Sequence, residues 1–259
     1  MQMKPVALIG PHPAELSEVL RRVFEESHLQ LVPHTLPQTH PSSVLQSLST
    51  LGYAGGLISE EFSESYFPYC ARVGVEARHV GRIDTLSSLG GGFDATHTLE
   101  DSLFQWMENS GYRSAGARLM VIGGNFRARV ALQLARLGFV SVMLAAKSMS
   151  ESEELLKVVP AGIEKYPLVV GGYSFASFME QQDLLIITED VGKLRFQPYH
   201  QVMDISGVYA QTIAQDGAHM WDSTQLEVLR LSHQLKFLTG RSIAPSLIQW
   251  AWQAVQENP

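Results

Sequence analysis

The 259-residue chain has a single cysteine, Cys70. That excludes an intramolecular disulfide framework and any zinc site built from several cysteines. Charged side chains make up only 17% of the residues, against roughly 25% in an average soluble domain. Acids outnumber bases 26 to 19, a net charge of −7, and no block of lysine and arginine stands out. Nucleic acid and anionic membrane surfaces are therefore disfavoured as partners. No apolar run approaches the ~20 residues of a membrane span. The start, Met1 to Pro5, leads into an apolar stretch with no secretory cleavage pattern, so a cytoplasmic protein is expected. The nine histidines form no H-x-x-x-H or H-E-x-x-H pair, and no metal is expected. Gly-x-Ser-x-Gly is absent and Cys70 has no adjacent histidine, so nucleophilic catalysis has no support.

What is present is length and alternation. With 45% hydrophobic residues, the chain can bury a sizeable core in one large domain or two modest ones. Val6-Ala7-Leu8-Ile9-Gly10 reads as a buried strand. Leu16, Val19, Leu20, Val23 and Phe24 then recur at helical spacing. Leu29–Leu36 reads as a second strand, Pro41 opens a helix, and Gly55–Ile58 is a third strand. The alternation predicts an α/β protein with a mainly parallel sheet. Gly90-Gly91-Gly92 marks a boundary, and a helix follows from about Thr98 to Asn109. Arg118–Ile122, the helix Phe126–Leu137 capped by Gly138, and the strand Val140–Leu144 form a βαβ crossover. Two more strands, Asp183–Ile187 and Gln201–Ile205, precede two amphipathic helices, Ser223–Leu238 and Ala244–Val255. Trp250 and Trp252 cannot share a helix face; one packs inward, and the other leaves a homodimer open.

The turn Gly123-Gly124-Asn125-Phe126-Arg127-Ala128 lies where a strand–glycine–helix unit can seat a pyrophosphate. Asn125 replaces the middle glycine of G-x-G-x-x-G/A. Asparagine tolerates positive φ, so the turn survives, but its side chain is expected to crowd a dinucleotide. Lys147 and Ser148 follow the next strand, where a base and a hydroxyl suit the 2′-phosphate of NADP.

Several segments, in order along nearly the whole chain, resemble the shikimate dehydrogenase family. They are Val6–Gly10 with Leu16-Ser17, Leu51–Gly55, Gly81-Arg82-Ile83-Asp84-Thr85, Val121–Ala135, Ala145–Ser148, Val191-Gly192 and Leu235–Gly240. The resemblance implies an N-terminal α/β substrate domain, residues 1–98 with 236–259, and a Rossmann-type nucleotide-binding domain with a parallel sheet, residues 99–235. It also implies NADP-linked hydride transfer at a ring hydroxyl or ketone of a small cyclic hydroxy acid. Gly123, Gly124, Asn125, Phe126, Arg127, Lys147, Ser148 and Thr188 then fall to the cofactor, and Ser17, Ser59, Asp84, Thr96 and Arg230 to the substrate.

The family's catalytic lysine and aspartate are missing. Ser63 stands at the lysine position, and no lysine occurs between Lys4 and Lys147. One register places His97 at the aspartate; the other places Thr96 there. Of these groups His97 can accept a hydroxyl proton near neutral pH, while Ser63 can only orient substrate. The other reading of His97 is a residue flanking the helix that starts near Thr98. Glu60, Glu61 and Glu64 make the neighbourhood acidic, and Arg82 and Arg230 either compensate or pair with those acids. The expectation is an altered substrate or weak activity; the alternative is an inactive binding or structural protein that keeps the fold.

Overall fold

The computed structural model describes residues 3–36, 40–88 and 92–257; Gly90 and Gly91 of the glycine run lie outside them. Contacts divide the chain into two compact units, Met1–Ser102 with Glu227–Pro259, and Leu103–Leu226. The sequence resemblance implies joins after residues 98 and 235.

The first unit runs β1 (Lys4–Ile9), α1 (Leu16–Glu26), β2 (Leu31–Leu36), α2 (Pro41–Thr50), β3 (Gly55–Ile58), the single turn α3 (Ser63–Tyr66), β4 (Arg72–Val73), α4 (Val75–Val80), β5 (Thr85–Ser87) and β6 (Asp94–Thr96). The helix α5 (Leu99–Ser110) leads out of it. The strand order is β2-β1-β3-β5-β6-β4. β1 is parallel to β2 and β3, whereas β5 is antiparallel to both β3 and β6. The apolar stripe predicted for α1 is buried in full. It packs with Val6 and Leu8 of β1 in a cluster that also holds Leu231, Leu235 and Ile248. Each such side chain contributes roughly 1.5–3 kcal/mol when fully buried. On its outer face Arg22 pairs with Glu18 at 2.9 Å.

The second unit contains β7 (Arg118–Ile122), α6 (Phe126–Ala131), β8 (Ser141–Ala146), α7 (Met149–Leu156), β9 (Glu164–Val169), α8 (Phe175–Glu180), β10 (Leu184–Ile187), β11 (Gln201–Asp204), α9 (Ala210–Gln215) and β12 (His219–Met220). Its sheet has the order β12-β11-β10-β7-β8-β9, and every pairing is parallel. That is the doubly wound Rossmann-type arrangement, in which the order reverses between β7 and β10. β10 and all but the first residue of β7 are buried, as strands covered on both faces must be. The helix α10 (Ser223–Thr239) carries the chain back to the first unit, where α11 (Pro245–Gln256) ends it. Trp252 packs against the core of that unit, and Trp250 is exposed.

Two local expectations change. The helix after the glycine turn is α-helical only to Ala131 and continues as a 3-10 helix over Leu132–Leu137. Asn125 does not adopt positive φ. It sits at φ −81° as the N-cap of α6, accepting the Ala128 N–H at 3.1 Å, and its amide donates to the Thr188 carbonyl at 2.9 Å. The positive φ falls on Gly123, at +125°. Among the described residues no helix is long and apolar enough to cross a membrane.

Candidate functional site

In the first unit a buried polar cluster forms at the ends of β3, β5 and β6 and on α10. Ser59 follows β3 directly, and its N–H donates to the Ile9 carbonyl at 2.9 Å. Its Oγ is buried without a hydrogen-bond partner among the described residues. Gly10 makes room for it: at φ +89°, a Cβ there would lie 2.3 Å from both Ser59 Oγ and Phe62 Cδ2. Buried hydroxyls are almost always satisfied, so Ser59 Oγ is a polar atom that calls for a further partner. His12 Nε2 is buried and unpartnered in the same sense.

Asp84, just before β5, is wholly buried. One carboxylate oxygen accepts from the Thr98 N–H at 3.0 Å, from the Thr98 hydroxyl at 2.8 Å, and from Arg230 Nε and Nη2 at 3.3 Å each. The other accepts from the Thr85 hydroxyl at 2.9 Å. Burial alone would raise its pKa, but His97, Arg230 and the Thr98 donors together hold it below the ordinary carboxylate value. Arg230 also reaches Glu60 at 4.0 Å. The chief partner of Arg230 is thus Asp84, an acid outside the Glu60, Glu61 and Glu64 group. Thr96 is buried on β6 and returns its carbonyl to the Asp84 N–H at 2.9 Å.

His97 is buried beside this ion pair. Burial lowers its pKa; Asp84 and Glu60 oppose that, while Arg230 and Arg82 reinforce it, and the outcome is an imidazole neutral at pH 7. Ser63 is fully buried. Its hydroxyl donates to the Glu60 carbonyl at 2.7 Å and accepts from Arg82 Nη1 at 3.1 Å, while Arg82 also pairs with Glu64. Ser17 lies half-buried in the first turn of α1.

The second unit presents its glycine turn at the point where strand order reverses, the usual ligand position in such sheets. Gly123, at φ +125°, is where a side chain is excluded, whereas one at Gly124 would require the Glu151 carboxylate to move. A Cβ on Gly123 would meet Thr188 Oγ1 at 2.2 Å, and one on Gly124 would meet Glu151 Oε1 at 2.3 Å. The Gly124 N–H donates to Glu189 Oε1 at 3.0 Å, and Lys147 Nζ lies 3.7 Å from Glu189 Oε2. Arg127 Nη1 donates to the Ile205 carbonyl at 3.0 Å. Thr188 donates its hydroxyl to the Ile122 carbonyl at 3.1 Å and so ties β10 to β7. Ser148 caps α7 by accepting the Glu151 N–H at 3.2 Å. Phe126 opens α6, half-buried.

Sequence reasoning missed Glu189 and Glu151. A signal existed for the second: Ser148-Met149-Ser150-Glu151 is a capping-box pattern, but its carboxylate passes the cap and takes the Lys147 N–H at 3.2 Å. For Glu189 no pattern existed, because its partner is 65 residues away.

Burial holds His12, His97, His200 and His233 below the ordinary histidine pKa. Neutral histidines in the folded state stabilise it fully above about pH 6.5, where the unfolded chain is also unprotonated. That stability is lost as pH falls from there through the lowered folded values. Urea midpoints should drop between pH 7.5 and 5.5, and His97→Gln should flatten the dependence. An unchanged slope in His97→Gln would mean that its imidazole is not held neutral.

A doubly wound parallel sheet with a glycine turn at its switch point, joined to a second α/β unit, defines a two-domain Rossmann-type protein. No protein-family model matches the chain. It is 29% identical over 173 residues to a shikimate dehydrogenase (NADP(+)) of Geobacter metallireducens, covering 62% of this chain and 58% of that one. Many solved structures share the fold, among them two dehydrogenases. Quinate dehydrogenase from Corynebacterium glutamicum in complex with NAD has TM-score 0.82, 14% identity and coverage of 98% and 100%. Shikimate 5-dehydrogenase from Listeria monocytogenes in complex with shikimate and NAD has TM-score 0.81, 12% identity and coverage of 96% for both chains. In sequence the chain is similar to shikimate dehydrogenases, and in structure it shares their two-domain fold. It spans less than two thirds of the length of the curated relative from Geobacter metallireducens.

Proposed function

We propose that the chain is a cytoplasmic, NADP-linked oxidoreductase acting at a ring hydroxyl or ketone of a small cyclic hydroxy acid. In this reading His97 handles the proton in place of the family's lysine and aspartate. The observation that carries it is His97 itself, buried, neutral at pH 7 and set beside the Asp84 carboxylate. A general base must be unprotonated at working pH and its cation stabilised once formed. Asp84 and Glu60 meet the second need. Ser59 Oγ, lacking a partner, orients a substrate oxygen by hydrogen bonding. Ser63 holds Arg82 in place and is a positioning residue.

The backbone of the second unit fits a dinucleotide. Gly123 and Gly124 leave the turn free of Cβ atoms, and Asn125 folds its side chain onto α6 and Thr188. Lys147 and Ser148 stand just beyond β8, where a 2′-phosphate is read. The bound cofactor would accept or donate the hydride. With shikimate or quinate as the alcohol to be oxidised and NADP+ as hydride acceptor, the wild type should turn over, and His97→Ala should lose roughly 10²–10⁴-fold in kcat. Equal rates in the two would remove His97 from the chemistry.

A second reading, a binding protein without turnover, draws on the Gly124 N–H being taken by Glu189. NADPH binding tighter than about 1 mM with no turnover of any cyclic hydroxy acid would favour it. No binding of either nicotinamide nucleotide at that level would set the dehydrogenase reading aside.

A further inference from the structure

We propose that the carboxylates of Glu189 and Glu151 are a built-in anionic occupant of the glycine turn, which a dinucleotide phosphate must displace. The inference rests on the dinucleotide reading above and concerns its affinity and selectivity. The two acids come from different elements. Glu189 lies just beyond β10, and Glu151 in the first turn of α7. They converge on one residue, Gly124. Glu189 Oε1 takes its N–H at 3.0 Å, while Glu151 Oε1 lies 2.3 Å from the place a Gly124 Cβ would fill.

Two carboxylates at one glycine repel each other, and the structure holds them with this chain's own donors. Glu151 Oε2 accepts the Lys147 N–H at 3.2 Å, and Glu189 Oε2 has Lys147 Nζ at 3.7 Å. The cation and the backbone donor that would otherwise meet a phosphate are thus already engaged by anions. Phosphate entering beside them meets like charge until both side chains swing away. Glu151 bears most on the 2′-phosphate, since its Oε2 sits on the residue just past β8, where the adenosine ribose is read.

Titration of the full-length protein with NADPH, NADH and inorganic pyrophosphate, read by calorimetry, tests this. Glu189→Gln with Glu151→Gln should tighten NADPH binding at least about tenfold. Glu151→Gln alone should favour NADPH over NADH, and Glu189→Gln should improve pyrophosphate binding. Glutamine can retain the hydrogen bond to Gly124, so Glu189→Ala is the second variant; it frees that N–H and should gain at least as much. Equal affinities in wild type and all variants would overturn the inference while leaving the dinucleotide reading intact. Absence of binding in every protein would overturn both.

Discussion

Arg230→Met is expected to destabilise the protein by about 3–5 kcal/mol, the usual cost of removing one partner from a buried ion pair. Asp84 is completely buried and depends on Arg230 for neutralisation. Its other donors, the Thr98 N–H and the two threonine hydroxyls, bring no charge. Removing Arg230 leaves a carboxylate that must stay charged without a cation or take up a proton, and either costs free energy. Asp84→Asn in the same chain should restore most of the loss. Asparagine can still accept from Thr98, and no uncompensated charge remains. Urea denaturation of the two single variants and the double variant gives the coupling directly. A loss below about 1 kcal/mol in Arg230→Met would be that of an exposed pair, and the buried-pair account would fail.

The same pair shows where sequence reading reached and where it stopped. The βαβ unit from Arg118 to Leu144 was legible because its strands are continuous apolar runs and its turn is glycine-rich. The apolar face of α1 was legible for the same reason, a period of 3.6. β4, β5 and β6 were not. They have two or three residues each, too few for alternation to register. Yet β5 and β6 place Asp84 and His97, so the cluster could not be assembled from spacing. Asp84 and Arg230 are 146 residues apart, and nothing local at either position specifies the other. Asn125 misled for a different reason. Its tolerance of positive φ suggested a strained turn residue, but its stronger preference is to cap a helix, and that preference won.

Gly55→Ala is expected to destabilise the protein by roughly 2–6 kcal/mol, combining overpacking with backbone strain. At φ +153° its Cβ would lie 2.1 Å from the Leu86 carbonyl oxygen. That atom belongs to β5, which pairs antiparallel with β3 at Gly55↔Ser87 and Gly56↔Leu86. A backbone oxygen cannot rotate away as a side-chain end can, so relief requires β3 and β5 to separate. Ser59 follows the first strand and Asp84 precedes the second, so the separation also displaces the polar cluster and should depress turnover. Gly52→Ala is the control. It has φ +72° but nothing within 4 Å of the added carbon, so it should cost only about 1–2 kcal/mol from the left-handed conformation. Thermal melts of both variants separate the causes. Equal losses would mean that conformation alone decides at Gly55, and that close approach of the two strands is not what requires glycine there.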